Sequence, residues 1–277
     1  MQQHDTPRQK PMSPQKQLES YYTQPELWVR AHYEGRGEQR MRARVIAALV
    51  DPTVNSIIDV GCGNGFVTEH LRARHMVVGI DPSEPALRGF RGIKAVANGG
   101  NLPFPDRCFD AGICTEVLEH LSRDAQARTI SELDRVIIRD LLVGVPYRQD
   151  LRTGMAECVD CGLRYHVDLH QHSFRSPSDV SRLFRGFRTE AVVLLCERDE
   201  IRSRVFRHLR CLLLRPDASS SCAKCPRCGS GKTFSYASGP RRFLPWLLNG
   251  LAWRMPKKRV PHWMVVLLRR KEFATGS

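Results

Sequence analysis

Residues 57–71, IIDVGCGNGFVTEHL, constrain this chain more than any other stretch. A short apolar run ends at Asp59, breaks into Gly61-Cys62-Gly63-Asn64-Gly65 and resumes as an amphipathic segment, a pattern that predicts strand, glycine turn and helix. Glycines in such a turn permit positive φ and let backbone approach a ligand, while free N–H groups at the start of a following helix offer donors to a carboxylate or phosphate. Further on, the apolar run 76–80 ends in Asp81, where a second strand brings an acid to a ribose. The turn and the acid together predict a nucleotide cradle in an open α/β sheet.

Which nucleotide depends on the spacing of the glycines. The dinucleotide fingerprint Gly-x-Gly-x-x-Gly, counted from Gly61, needs its third glycine where Phe66 stands, and fails. Asp59, Gly61, Gly63 and Gly65 instead resemble the first motif, Asp-x-Gly-x-Gly-x-Gly, of class I S-adenosylmethionine (SAM)-dependent methyltransferases. GIDPSEPAL (79–87) resembles the second motif, NLPFPDRCFD (101–110) the Leu-Pro-Phe stretch before the fourth strand, and TEVLEHL (115–121) the end of that strand. In this order the blocks are similar to the type-11 methyltransferase domain, which includes ubiquinone- and menaquinone-pathway enzymes, over roughly 20–147. The resemblance implies a seven-stranded, doubly wound Rossmann-like sheet with an antiparallel last strand, and SAM as cofactor. It also implies a binding set: Asp59, Gly61, Cys62, Gly63 and Gly65 in the turn, Asp81 on the ribose, and Asn98, Leu102, Thr115 and Glu116 around the rest. Asn98 departs from the family, which usually has an Asp there to accept the adenine amino group; an amide oxygen accepts the same bond without charge.

Residues 1–17, rich in Gln, Pro and Lys without apolar period, read as a disordered tail, and 18–273 as one methyltransferase domain. Apolar residues recur at helical spacing from 18 to 50; the family implies that Trp28 and Tyr33 can lie over the cofactor, while the plainer reading packs them on the sheet. Strands follow at 92–97 and 109–114, a helix at 124–137, and a fifth strand at 141–145, with Ile138-Arg139-Asp140 in place of the usual glycine turn. A helix at 177–186, a sixth strand at 190–196 and a last strand at 262–270 beside the fifth complete the sheet. Two segments, 148–175 and 197–261, stand outside it as insertions.

Each insertion carries a Cys-x-x-Cys pair followed by glycine, Cys158/Cys161 and Cys225/Cys228, with Cys222 just upstream of the second. Thiolates at that spacing occupy adjacent corners of a tetrahedron, so the two pairs predict one structural zinc joining the insertions. His166, His170 and His172 are runner-up ligands; solvated or hydrogen-bonded side chains are the preferred reading for them.

Methyl transfer from a sulfonium needs alignment, and a base only where the nucleophile must lose a proton. His120 and Tyr147, after the fourth and fifth strands, are the nearest proton acceptors by topology, although a helix-borne His is more often structural. The formal net charge of +14 is unevenly spread. Residues 198–271 hold 18 Lys and Arg against 3 Asp and Glu, which leaves 25 against 26 elsewhere. A basic last quarter beside a neutral core suits an anionic acceptor, small or carrier-linked. RNA stays open as a partner, although Ile201, Val205, Leu209 and Leu212 fall on one face and the arginines among them suit the solvated face of a packed helix. Peripheral membrane contact through 241–259, with its Trp between basic ends, also stays open, against the plainer reading of a helix packed on the sheet. A non-catalytic SAM-binding role is the remaining rival. No run is long and apolar enough for a membrane span, and the polar start lacks the core of a secretion signal, so the sequence leads to the expectation of a cytoplasmic protein with reduced cysteines. Oligomeric state has no signature in it.

Overall fold

The computed structural model of the protein describes residues 21–213, 225–230 and 243–273. The expected tail at 1–17 and Cys222 lie outside them. Seven strands form one sheet: β1 Ser56–Val60, β2 Met76–Asp81, β3 Ile93–Val96, β4 Phe109–Thr115, β5 Ile137–Pro146, β8 Phe187–Ile201 and β9 Lys257–Arg270, in the order β3-β2-β1-β4-β5-β9-β8. β1 to β5 pair in parallel and β9 inserts antiparallel between β5 and β8. This is the Rossmann-like sheet with a reversed last strand that the sequence predicts. A separate two-stranded sheet pairs β6 Met155–Glu157 with β7 Arg164–His166.

The central strands are buried on both faces, which is why they read as unbroken apolar runs. Alternation assigns the side chains: Ile58, Val60, Val78, Ile80, Leu141 and Val143 enter one core, and Ile57, Val77, Ile113 and Leu142 the other. The first core is covered by helix α4, Arg123–Val136, which is capped by the Ser122 side chain and buries Ala125, Thr129, Leu133 and Val136. The second is covered by α2, Gly37–Leu49, through Ile46 with Val45, Ala47 and Leu49 beside it. The short α1, Arg30–Glu34, precedes it, and α3, Glu84–Leu87, follows β2.

Three expectations need correction. No α-helix follows the glycine turn: residues 66–68 are turns and Glu69–Ala73 is a 3₁₀-helix. Gly65 accepts one helical bond, from Glu69 N at 3.0 Å, but Thr68 spends its hydroxyl on Asp59 at 2.7 Å and the short segment turns back into β2. α4 runs into β5 without a turn, because Arg270 of β9 supplies the missing cap: its guanidinium donates to the carbonyls of Asp134 (2.6 Å), Ile137 (2.7 Å) and Ile138 (3.1 Å). The helix expected over 177–186 stops early, as α5, Pro177–Ser181.

Beyond the expected sixth and last strands, β8 and β9 continue as a paired ribbon as far as Ile201 opposite Lys257, so the second insertion leaves the sheet after 201 and rejoins it at 257. It holds α6, Arg204–Leu213, and α7, Phe243–Arg254. Val205 and Leu209 of α6 are exposed, contrary to a packed helix, and Trp253 of α7 is 82% exposed beside Lys257. Among the described residues no helix is long and apolar enough to cross a membrane.

Candidate active site

The carboxyl ends of β1, β2 and β4 frame a cavity of about 130 Å³ lined by Tyr22, Trp28, Gly61, Asp81, Asn98, Glu116 and His120, among others. The glycine turn enters its wall at Gly61. Gly61 (φ +76°), Gly63 (φ +54°) and Gly65 (φ +75°) all take left-handed backbone, and each is closely covered: a Cβ on Gly63 would lie 2.6 Å from the Trp28 ring and one on Gly65 2.5 Å from Phe90. Gly61 N and Cys62 N both donate to Ile80 O, at 2.7 and 3.1 Å, which pins the turn to β2. Asp81 ends β2 and closes the link, accepting from Gly63 N at 2.9 Å and Ser83 N at 2.8 Å. Burial raises its carboxyl above the ordinary range, against these two backbone bonds.

The cradle suits a nucleoside with an extended tail: an acid at the second strand, an amide oxygen on Asn98, side-chain-free backbone at the turn and an aromatic cover. That cover comes from the N-terminal segment. Trp28 reaches the cavity with its indole N–H on Tyr22 O at 2.8 Å, whereas Tyr33 packs on Phe66 and donates to Leu27 O. The site thus uses one of the two aromatics weighed from the sequence.

Other predicted residues stand behind the cavity wall. Asp59 is buried under the turn on Thr68, and burial pushes its carboxyl up to about 7. Cys62, Leu102 and Thr115 are buried and do not line the cavity, and burial pushes the Cys62 thiol far up. Asn98 lines it while its Oδ1 also accepts from Gly100 N at 2.9 Å.

Of the two candidate proton acceptors, only His120 faces the cavity. Tyr147 sits outside it, against the core, with Arg148 over its ring and its own N–H on His262 O. The His120 ring takes the Tyr22 hydroxyl, 3.1 Å from Nδ1 and 3.2 Å from Nε2, and burial pushes its pKa down to about 3, so the imidazole is neutral. Glu116 lines the same wall at φ +60°, pairs with Arg42 at 3.3 Å, and is pushed up to about 7 by burial against that cation. Sequence reasoning missed Tyr22 and Arg42, which carry no motif and arrive from elements far away in the chain.

The cysteine pairs meet. Cys158, Cys161, Cys225 and Cys228 place their sulfurs within 4.8 Å of one another, with Cys158 to Cys228 and Cys161 to Cys225 both 3.5 Å. A tetrahedral site with zinc–sulfur bonds of about 2.3 Å has sulfur–sulfur edges of about 3.8 Å, so the donors and their spacing fit zinc. Gly162 (φ +68°) and Gly229 (φ +72°) take the left-handed turn after each pair, in open space. The runner-up histidines are all hydrogen-bonded, as the plainer reading expects: His172 donates to Leu121 O at 2.8 Å, His170 to the Gln149 amide oxygen, and His166 Nδ1 accepts from Asp168 N at 3.1 Å.

Residues 58–140 match the type-11 family described as a methyltransferase domain. No curated protein matches the chain by sequence. Solved structures do match by shape. The magnesium protoporphyrin IX methyltransferase of Synechocystis PCC 6803 with bound SAH is 13% identical, with 94% of this chain and 100% of that one covered at a TM-score of 0.54. A SAM-dependent methyltransferase of Archaeoglobus fulgidus is 13% identical, with 84% and 95% covered at 0.50. A chain of the complex between the Haloferax volcanii Trm112 methyltransferase activator and the putative methyltransferase is 13% identical, with 95% and 100% covered at 0.53. The chain has the Rossmann-like fold of class I methyltransferases. Residues 58–140 of the chain are a methyltransferase domain.

Proposed function

We propose that the protein transfers the methyl group of SAM to an oxygen or nitrogen of a small or carrier-linked anionic acceptor. The observation that carries this reading is that Asp81, Asn98 and Gly61 line one cavity with Glu116 and His120, so nucleoside-recognising groups and proton-accepting groups share a wall. SAM supplies an already activated methyl electrophile. The chain's own residues then bind and align: Asp81 holds the ribose hydroxyls, Asn98 accepts from the adenine amino group, Gly61 offers side-chain-free backbone to the amino-acid tail while Asp59, Cys62, Gly63 and Gly65 hold the turn in shape from behind, and Tyr22 and Trp28 exclude water. Glu116, with a pKa raised to about 7, is better matched than the weakly basic His120 to take a proton near neutral pH. Leu102 and Thr115 shape the wall from behind.

The anionic preference rests on the surplus of 18 basic against 3 acidic residues over 198–271. Part of that surplus is structural, since Arg269 pairs with Asp140, Arg270 caps α4, Arg207 and Lys258 pair with Glu200 and Arg259 pairs with Glu197; the preference rests on the net excess that is left. We also infer that the four cysteines hold one structural zinc, a site suited to a reducing compartment such as the cytoplasm.

Calorimetry with S-adenosylhomocysteine on the protein and on Asp81→Ala tests the cofactor assignment: heat from the first and at least tenfold weaker binding by the second are expected, while equal affinity overturns it. Screening tritiated SAM against lysate fractions identifies the acceptor; label recovered only in RNA, or on a product without an acidic group, overturns the acceptor class.

A further inference from the structure

Against the wall of the donor cavity, sharing His120 with it, lies a second set of convergent side chains. Glu119 follows β4 on the same turn as His120 and has no solvent exposure; its carboxyl lies beside that of Glu116, and its Oε1 is 3.9 Å from His120 Nε2. Two carboxyls buried side by side cannot both be charged without a shared proton or a cation between them. His120 and His170 supply the surroundings. One ligand atom from each of Glu119, His120 and His170 lies within 4.8 Å of the others, and the two imidazole rings meet edge to face with centroids 4.5 Å apart.

The arrangement is built rather than incidental. The loop after β7 is stitched to the turn after β4 by four hydrogen bonds: Gln171 N and His172 N donate to Glu119 O (2.6 and 3.2 Å), Gln171 Nε2 to His120 O (2.7 Å) and His172 Nε2 to Leu121 O (2.8 Å). These fix His170 against His120 from fifty residues away in the chain. The His170 Nδ1–H donates to the Gln149 amide oxygen, which leaves Nε2 as the ring's lone-pair donor, the usual way an outer partner orients a metal-binding imidazole. His166 stacks behind His170 at 5.1 Å, and its Nε2 is buried without a partner.

We propose that Glu119, His120 and His170 form a binding site for one divalent first-row transition-metal ion, distinct from the four-cysteine cluster, with open positions facing the donor cavity. Two imidazoles and one carboxylate suit zinc, cobalt, manganese or iron, and three protein ligands leave coordination free for a second molecule. The competing triad of His166, Asp168 and His170 is weaker, because Asp168 is exposed.

Resting on the methyltransferase reading, the site narrows the acceptor to a hydroxyl compound. A hydroxyl oxygen on the open position is acidified as metal-bound water is. Its proton passes to Glu116 or solvent, the oxygen lone pair forms the bond to the methyl carbon, and the carbon–sulfur electrons stay on the departing sulfide. Such an enzyme requires neither His120 nor Tyr147 as a strong base.

The test loads the full-length protein with zinc or cobalt, dialyses it and measures metal per chain. About two equivalents are expected, falling to about one in Glu119→Gln/His170→Ala and, independently, in Cys225→Ser. The cobalt removed by the Glu119/His170 variant should show d–d absorption without thiolate charge transfer. No more than one equivalent in the unaltered protein, an undiminished second equivalent in the variant, or thiolate charge transfer on both equivalents overturns the site. The spectrum of the unaltered protein keeps the test decisive if the variant fails to fold. S-adenosylhomocysteine calorimetry on the same samples separates the two claims: a second equivalent without nucleoside binding refutes the methyltransferase reading alone, and nucleoside binding without the second equivalent refutes the metal site alone.

Discussion

Gly61→Ala tests whether the cradle is as tightly built as its geometry states. At φ +76° an L side chain is strained, by about 1–2 kcal/mol. The new methyl would also fall inside the van der Waals shell of Val117 Cγ2, and such overpacking costs about 1–3 kcal/mol. The turn cannot slide away, because Gly61 N and Cys62 N are both held by Ile80 O. The single variant should therefore lose about 2–5 kcal/mol. Val117→Ala removes the obstructing methyl at a cost of about 1–2 kcal/mol for the area it uncovers. In the double variant only the φ strain should remain from the glycine change, giving a favourable coupling of at least about 1 kcal/mol, beyond the about 0.3–0.5 kcal/mol scatter of independent sites. Urea denaturation of the four proteins, read as midpoint at constant slope, measures it. Strict additivity would refute the argument, because it would mean that Val117 does not limit the space above Gly61.

Arg270→Met should destabilise by about 3–5 kcal/mol, since it leaves Asp134 and three carbonyls at the end of α4 without their buried cation; a melting point within a few degrees of the parent would contradict that role. Asp59→Asn keeps an acceptor for Thr68 and removes a titrating group. Because folding raises the Asp59 pKa from 3.8 to about 7, its contribution is full below pH 4 and is lost as pH rises to 7, so the Asn variant should gain on the parent by about 4 kcal/mol between pH 4 and 8; parallel stability curves would refute this. Cys225→Ser should release about one equivalent of zinc and speed amide exchange over 202–256 more than in the sheet, whereas uniform loosening would contradict a local cross-link.

The sequence by itself determined what depends on neighbours along the chain. Apolar runs of buried strand length, glycines where φ must be positive, Asp81 at the end of β2, and two Cys-x-x-Cys turns are all local requirements, and local requirements leave a spacing that can be read. The sheet and the cysteine cluster follow from them. Tertiary structure alone decided three other matters. The segment after the glycine turn is a short 3₁₀-helix rather than an α-helix, because Thr68 and the return to β2 compete with α-helical bonding. Arg270, which reads as part of a basic surface, is buried under a helix end that no glycine caps. Finally, Tyr22 and His170 reach His120 from distant parts of the chain, one through a hydroxyl bond and the other through a loop held by backbone carbonyls. Backbone carbonyls are the same at every residue, so docking through them leaves no pattern in the sequence. That is why Glu119 and His120 are visible in a motif while the partner that gives them a chemistry is not.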